Sequence, residues 1–535
     1  MPNYRWGLVA GLLALPTLVP VIVVLASLLN PDTAVWSHLL QEVLPRVVTN
    51  TFVLALAVTS LATALGVMLA WFTSVCEFPG RRFFSWALFL PLSIPGYVMA
   101  FVYLGWFEYS GPIQSWVRGI FGSSSGFPDI RSVVGVTLTL VLVLFPYPYL
   151  LARNGFSTQG KRALEVGQSL GLSKRQSFFR VALPMARPWI VGGSFLVLME
   201  TLADFGTVAV FNFDTFTTAI YKSWFGLFSV SGAMQLASLL MLFVLLILLT
   251  EKGLRLRKGY QRVGVSGSMT QSRIVLKGWH RGGVFLLCVT TFAVAFVLPM
   301  LQVGIWAVGS AEQDLDSRYF GFVTNSLVLG LLGAFLVATA SLLLAYSVRL
   351  KGLGSAVFSR LATLGYALPG VVLAVGLVVP IAALDKFSSG LNQWTSFDMS
   401  FALQGTLIVM LIAYMARFMA VSHAPIESNM LRITPSLEDA SKSLGVVGLN
   451  MLSKVHLPIV KSGLLTAMTL VFVDIMKELP ITLMTRPFGW DTLAVRVFEM
   501  TSEGFWERAA LPGLAIVLVG LVPVAILISR SDHAT

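Results

Sequence analysis

Four carboxylates stand inside otherwise apolar stretches: Glu200 and Asp204, then Asp474 and Glu478. Each pair is spaced i, i+4, which puts both carboxylates on one face of a helix. One offset of 274 residues relates the first pair to the second. An ionised side chain at the centre of a bilayer costs about 2.5–3.5 kcal/mol on insertion scales, so acids at such depth should face a bundle interior or a water-filled path. Their chemistry is that of hard oxygen donors, which suit hard cations. Two readings are open. One is an internal charge network, with Lys477 neutralising some of the acids. The other is a cation pathway lined by carboxylates. Gly206 and Pro480 each follow their pair by two residues, where the helices are expected to break.

The rest of the residue inventory excludes other chemistries. There is no G-x-x-x-x-G-K-[ST] phosphate loop, so ATP hydrolysis is not expected on this chain, and no H-E-x-x-H. His38, His280, His423, His456 and His533 are scattered without metal-ligand spacing. Cys76 and Cys288 make neither a disulfide framework nor a metal site and read as small apolar fillers. No catalytic residue and no stable metal site are expected.

The elements that must position the acids are long apolar helices. The chain has 535 residues, 56% hydrophobic and 12% charged, against about 25% charged in a typical soluble protein. Mean hydropathy is +0.81. Many apolar runs reach the length that crosses about 30 Å of hydrocarbon. The pattern predicts an all-α polytopic membrane protein with twelve spans, at 6–29, 51–75, 83–106, 132–152, 188–210, 231–250, 282–308, 324–348, 361–384, 402–424, 462–484 and 510–529. The first run is too long for a signal-peptide core and is read as a retained span. With both termini in the cytoplasm, most of the 37 Lys/Arg fall on the inner side, including the clusters Arg153–Arg187 and Lys252–Arg281. That asymmetry fixes orientation. It also accounts for the net charge of +12 without nucleic acid. The four acids then sit about 16–24 Å up from the cytoplasmic helix ends at 1.5 Å per residue.

Two polar islands interrupt the apolar runs on that inner side. Glu165 to Pro184 reads EVGQSLGLSKRQSFFRVALP, and Asp439 to Pro458 reads DASKSLGVVGLNMLSKVHLP. In each, an acid precedes Leu-Gly, a Val follows, and Leu-Pro closes the stretch, again at an offset of 274. Two short helices with a turn at Gly171 or Gly445 are expected, the glycine at the left-handed position that ends a helix. Ser173 with Gln176 and Ser436 with Asp439 have capping-box spacing. Phe178, Phe179 and Val181 are expected to form an apolar patch among Lys174, Arg175 and Arg180. The repeat extends to Thr49-Asn50-Thr51 and Thr324-Asn325-Ser326, and to Ile94-Pro95-Gly96 and Leu368-Pro369-Gly370. The expected organisation is a first repeat at 1–250 with its island at 161–187, a basic cytoplasmic linker at 251–281, and a second repeat at 282–535 with its island at 434–461. Six spans per half make the halves parallel, related by a pseudo-two-fold along the membrane normal.

The islands resemble E-A-A-x3-G-x9-I-x-L-P, the signature of permease subunits of binding-protein-dependent ABC importers of type I. The residues carrying the resemblance are Glu165, Gly171, Val181, Leu183 and Pro184, then Asp439, Ala440, Gly445, Val455, Leu457 and Pro458. Val166-Gly167 stand where the pattern has two alanines, Asp439 stands for Glu, and Val for Ile. The resemblance implies that each island is a coupling helix seated on an ATPase subunit. It therefore implies two copies of that ATPase carrying ATP and Mg, a periplasmic binding protein, and the bacterial inner membrane as location. Around the acids, METLADFG (199–206), FDTFTTAIYK (213–222) and KELPITLMTRPFGWDTLA (477–494) resemble fused iron(III) permeases, which implies Fe3+ as cargo. Thiamine, polyamine or phosphonate permeases are the nearest alternatives, and a secondary transporter driven by an ion gradient is the rival of another class. The outer-loop acids Glu312, Asp314, Asp316, Glu499, Glu503 and Glu507 are read as a solvated loop or a dock for the binding protein.

Overall fold

Apolar side chains in lipid leave backbone N–H and C=O groups no partner except within a helix, and the chain is helical almost throughout. The structure is a computed structural model describing residues 4–29, 31, 36–37, 39–122, 128–256, 273–392 and 402–532. His38, His533 and the part of the linker at 257–272 lie outside the described residues. Among the described residues the only strand pairing is a two-residue parallel bridge, Cys76–Glu77 with Ile274–Val275.

Nine helices among the described residues are long and apolar enough to cross a membrane, and up to twelve spans result when three bent pairs each count as one. Several expected spans are broken. The run 83–106 is a helix Arg81–Ala87, a short 3-10 turn Leu90–Ser93 and a helix Gly96–Phe107, with a 91° bend between Arg81–Ser93 and Gly96–Phe121. The run 361–384 has the same form: Ser355–Thr363, Leu364–Ala367, then Gly370–Asn392. Proline is the physical reason. Its ring drives the preceding residue out of the helical region, and Ile94 and Leu368 are extended, with ψ of 117° and 137°. A 42° bend separates Val133–Leu144 from Pro146–Ser157.

Two compact units make up the chain, and they do not coincide with the halves of the sequence. One comprises 1–44, 216–242 and 313–499. Within it Tyr4–Ala26 packs on Ser355–Thr363, Gly370–Asn392 and Ser317–Arg349. Its core gathers Leu329, Val337, Met410, Tyr414, Val471 and Ile475. The other comprises 45–215, 243–312 and 500–535. Within it Arg187–Ala203 packs on Pro146–Ser169, and Trp506–Asp532 on Gly96–Phe107 and the 3-10 turn before it. Each unit thus takes its outermost helix from the opposite half of the sequence.

Buried hydroxyls tie this second unit together. Tyr149 is fully buried; its hydroxyl accepts from Thr73 Oγ1 at 3.2 Å and donates to Ser85 O at 3.1 Å. A net hydrogen bond contributes about 0.5–1.5 kcal/mol. Tyr149→Phe is therefore expected to lower the thermal midpoint of the detergent-solubilised protein, read by intrinsic fluorescence. An unchanged midpoint would show the hydroxyl to be inert.

Candidate functional site

Each acid pair lies where a membrane helix stops and restarts. Arg187–Ala203 ends at Asp204, whose backbone is extended, and Gly206–Val210 begins two residues later. Leu457–Met476 ends at Lys477, and Pro480–Thr485 follows. The restarted helices expose N–H groups that have no intrahelical partner. The acids supply the acceptors. Asp204 Oδ2 accepts from Thr207 Oγ1 at 2.8 Å and Oδ1 from the Val208 N–H at 3.1 Å. Glu478 Oε1 accepts from the Ile481 N–H at 3.1 Å. Carboxylates at helix N-termini also meet the positive end of the dipole.

The proline-broken helices close over these caps. Within one unit Gly206–Val210 packs on Gly96–Phe107; within the other Pro480–Thr485 packs on Gly370–Asn392. A Cβ on Gly96 would lie 2.3 Å from Thr207 Oγ1, and one on Gly370 2.9 Å from Glu478 Oε1. Only glycine admits that approach. The conformity goes further: Asn50 Nδ2 donates to Asp214 O at 2.9 Å, and Asn325 Nδ2 to Asp491 O at 3.1 Å.

The other two acids stand four residues earlier, on the preceding helices, both half-buried. Asp474 pairs with Lys477 at 3.5 Å, as the charge-network reading expects. Asp204 and Glu478 act in addition as caps of the restarted helices. Among the described residues no group of three or more His, Cys, Asp or Glu is placed to hold a metal.

The islands fold as helix, turn and helix. Gly171 and Gly445 have φ of +80° and +73°, the left-handed conformation expected of them. Ser173 and Gln176 form the reciprocal capping box, at 3.2 Å and 3.0 Å. Ser436 and Asp439 do not. The helix Pro435–Ser443 has Thr434 rather than Ser436 at its N-cap, two residues earlier than expected. Proline pre-set for the first helical position claims the start. Ser436 bonds Thr434 Oγ1, and Asp439 pairs with Lys442 at 2.9 Å. That exposed carboxylate raises the Lys442 amine above the ordinary lysine value.

Both islands then pass through one π-helical turn, Phe178–Ala182 and Leu452–His456, into the Leu-Pro step. Glu165 and Asp439 are exposed, as are Pro184, Ala440, Leu457 and Pro458, while Val181, Leu183 and Val455 are half-buried. Of the expected patch, Phe178 and Val181 instead pack inward beside Leu164 and Trp71, and Phe179 stays exposed. Sequence reasoning singled out the glycines and missed the leucines before them. Leu170 and Leu444 are 74% and 82% exposed, equivalent positions that project from the islands. The recurrent Leu-Gly was the available signal.

The chain is a polytopic helical protein with paired, acid-capped helix breaks and two repeated polar islands, of the class of membrane transport permeases. Residues 62–251 match the family described as binding-protein-dependent transport system inner membrane component. The chain is 27% identical over 489 residues to the Fe(3+)-transport system permease protein FbpB 2 of Haemophilus influenzae, covering 90% of this chain and 89% of that one. It is 30% identical over 234 residues to the putative 2-aminoethylphosphonate transport system permease protein PhnV of Salmonella typhimurium, covering 43% of this chain and 86% of that one. It is 23% identical over 462 residues to the ferric transport system permease protein FbpB of Actinobacillus pleuropneumoniae, covering 82% and 64%. The chain belongs to the binding-protein-dependent transport system inner membrane component family, as a permease of such a transporter.

Loss of a capping acceptor costs about 0.5–2 kcal/mol, whereas Asn caps about as well as Asp. Asp204→Ala should therefore speed amide hydrogen exchange across 206–210, and Asp204→Asn should not. Equal protection in the Ala variant would remove the cap assignment.

Proposed function

We propose that the chain is the membrane subunit of an ATP-driven importer that takes ferric iron from a periplasmic binding protein and passes it to the cytoplasm. The observation that carries this reading is the likeness to an Fe(3+)-transport permease along 90% of the chain, over acid-bearing helix breaks in both repeats. Glu200 and Asp474 are the carboxylates assigned to meet the cation, while Asp204 and Glu478 hold the breaks open. The repeats at 1–250 and 282–535 are a duplicated unit; the PhnV match spans 43% of this chain but 86% of that shorter protein, which supports one repeat as a complete permease. Both termini and both islands lie in the cytoplasm, by the distribution of Lys and Arg.

The islands meet two copies of a separate ATPase, which binds the ATP and Mg. A clustered apolar surface marks a partner's seat, and each island carries several exposed apolar side chains, Val166 and Leu170 in the first and Leu444, Val447 and Leu449 in the second. Closure of the two ATPases on ATP moves both islands and drives alternating access across the membrane. A second reading, uptake of an aminoalkylphosphonate, is favoured by the PhnV match. Carboxylates argue against it, because an anionic substrate is repelled by them where a hard cation is bound.

Reconstitution with the cognate ATPase and binding protein, followed by uptake of radiolabelled ferric iron, tests the reading. Iron should enter only with ATP. Uptake driven by a proton gradient alone would sink it, and competition by 2-aminoethylphosphonate would favour the second reading. Glu200→Gln with Asp474→Asn should lower iron uptake about tenfold, the equivalent of ~1.4 kcal/mol per transported ion, with assembly unchanged. Leu170→Glu with Leu444→Glu should abolish co-purification of the ATPase; retained binding would place its seat elsewhere.

A further inference from the structure

The two islands are fastened to the membrane helices by chemically different joints. In the first, Leu164 and Ala182 are buried with Trp71, Phe178, Val181 and Ile274 around them. Trp71 meets Phe178 edge-on, with ring centroids 4.5 Å apart. Ile274 reaches this cluster from the two-residue strand that pairs with Cys76–Glu77, and Arg273 beside it lies 3.7 Å from Glu77. This joint is apolar, and Ile274 from the described end of the linker completes it.

At the offset of 274, Leu164 corresponds to Glu438 and Ala182 to His456. Ser317–Arg349 is offset from the first-repeat helix Leu44–Val75 by 275, as Asn50 and Asn325 show, so Trp71 corresponds to Tyr346 and Ser74 to Arg349. The apolar positions of the first joint are therefore ionic or polar in the second. Arg349 Nε donates to Glu438 Oε1 at 2.7 Å, and Nη2 donates to Ile433 O at 2.6 Å. His456 is fully buried, its Nε2 3.4 Å from the same Glu438 oxygen. The Tyr346 ring meets the His456 ring edge-on at 5.2 Å, and its hydroxyl donates to Gly448 O at 2.7 Å. Trp6 packs edge-on against Tyr346 at 4.8 Å, which brings the helix Tyr4–Ala26 into the same cluster.

We propose that Arg349, Glu438, His456 and Tyr346 form an ionic joint that fixes the second island to Ser317–Arg349 and converts its movement into movement of that helix. The residues are positioning residues, acting through the island rather than on the cargo. Arg349 is the last residue of its helix and Glu438 lies in the island's first helix. The bond therefore spans the point where a pushed island would otherwise slide. Its directionality adds to the apolar packing of Tyr346 with Met451, Leu452 and Val455, since apolar contact is non-directional. A charge pair buried to this degree holds only while both partners are present; removing one leaves an uncompensated charge, whereas replacing the set by apolar side chains is tolerated. The inference rests on the importer reading, in which the islands carry the ATPase.

The complete complex in proteoliposomes, with ferric-loaded binding protein, tests it by three readouts: assembled complex, ATP hydrolysed, and iron taken up per ATP. Glu438→Gln keeps the size and removes the charge facing Arg349. It should lower iron per ATP about fivefold or more, as loss of a 1–3 kcal/mol contact would, while ATP hydrolysis persists. Tyr346→Phe removes only the bond to Gly448 and should lower the ratio about twofold; it carries the test if Glu438→Gln does not assemble. The transplant Arg349→Ser, Glu438→Leu and His456→Ala rebuilds the joint in the first island's chemistry and should recover the ratio. An unchanged ratio in Glu438→Gln and Tyr346→Phe overturns the joint, and so does a parallel fall of hydrolysis and uptake, which marks lost protein rather than lost coupling. Iron uptake without ATP by the unmutated complex overturns the importer reading instead.

Discussion

Everything in this protein follows from one constraint: inside lipid, each backbone N–H and C=O must find a partner within the protein. Unbroken helices meet it automatically. A helix that stops in the membrane does not, because its ends leave groups unbonded. This chain stops helices at matched places in both repeats, after Ala203 and after Met476, and again at Pro95 and Pro369. Asp204 and Glu478 answer the constraint directly by accepting from the restarted helices. Their carboxylates are where lipid alone would forbid them because the backbone there has donors to offer.

The caps explain the glycines, and the glycines explain the packing. A restarted helix of five or six residues has little stability of its own. It persists because it lies against a second helix that also begins at a proline break, Gly96–Phe107 in one unit and Gly370–Asn392 in the other. Gly96 and Gly370 let those elements close to contact with Thr207 and Glu478. Each acid-bearing break is thus made of two interrupted helices, each stabilising the other's interruption. The second island runs directly into Leu457–Met476, whereas a 67° bend separates the first island's Arg175–Met185 from Arg187–Ala203.

Much of this was legible in residue order. The helical class, the repeat, the turns at Gly171 and Gly445 and the capping box of Ser173 with Gln176 all follow from local spacing. The breaks near Gly206 and Pro480 were legible for the same reason, since glycine and proline act on their own backbone. Spans 83–106 and 361–384 were drawn through Pro95 and Pro369 because hydropathy averages over a window and does not register one missing N–H. The capping box of Ser436 with Asp439 failed because Pro435 moved the helix start by two residues. The capping role of Asp204 and Glu478 was hidden behind their charge: side-chain type announces an acid but not which N–H lies within 3 Å of it.

The sequence by itself determined which stretches are helices, that two of them break near Gly206 and Pro480, and that the pattern is written twice, because each of these depends on neighbours within one or two turns. Tertiary structure alone decided that Tyr4–Ala26 joins the second half's helices and Trp506–Asp532 the first half's. It alone set Glu438 against Arg349 and His456 while Leu164 and Ala182 meet Trp71 and Ile274. Those partners lie from 18 to hundreds of residues apart. Apolar faces do not specify which other apolar face will cover them, so the choice is made only when whole helices compete for the same surface.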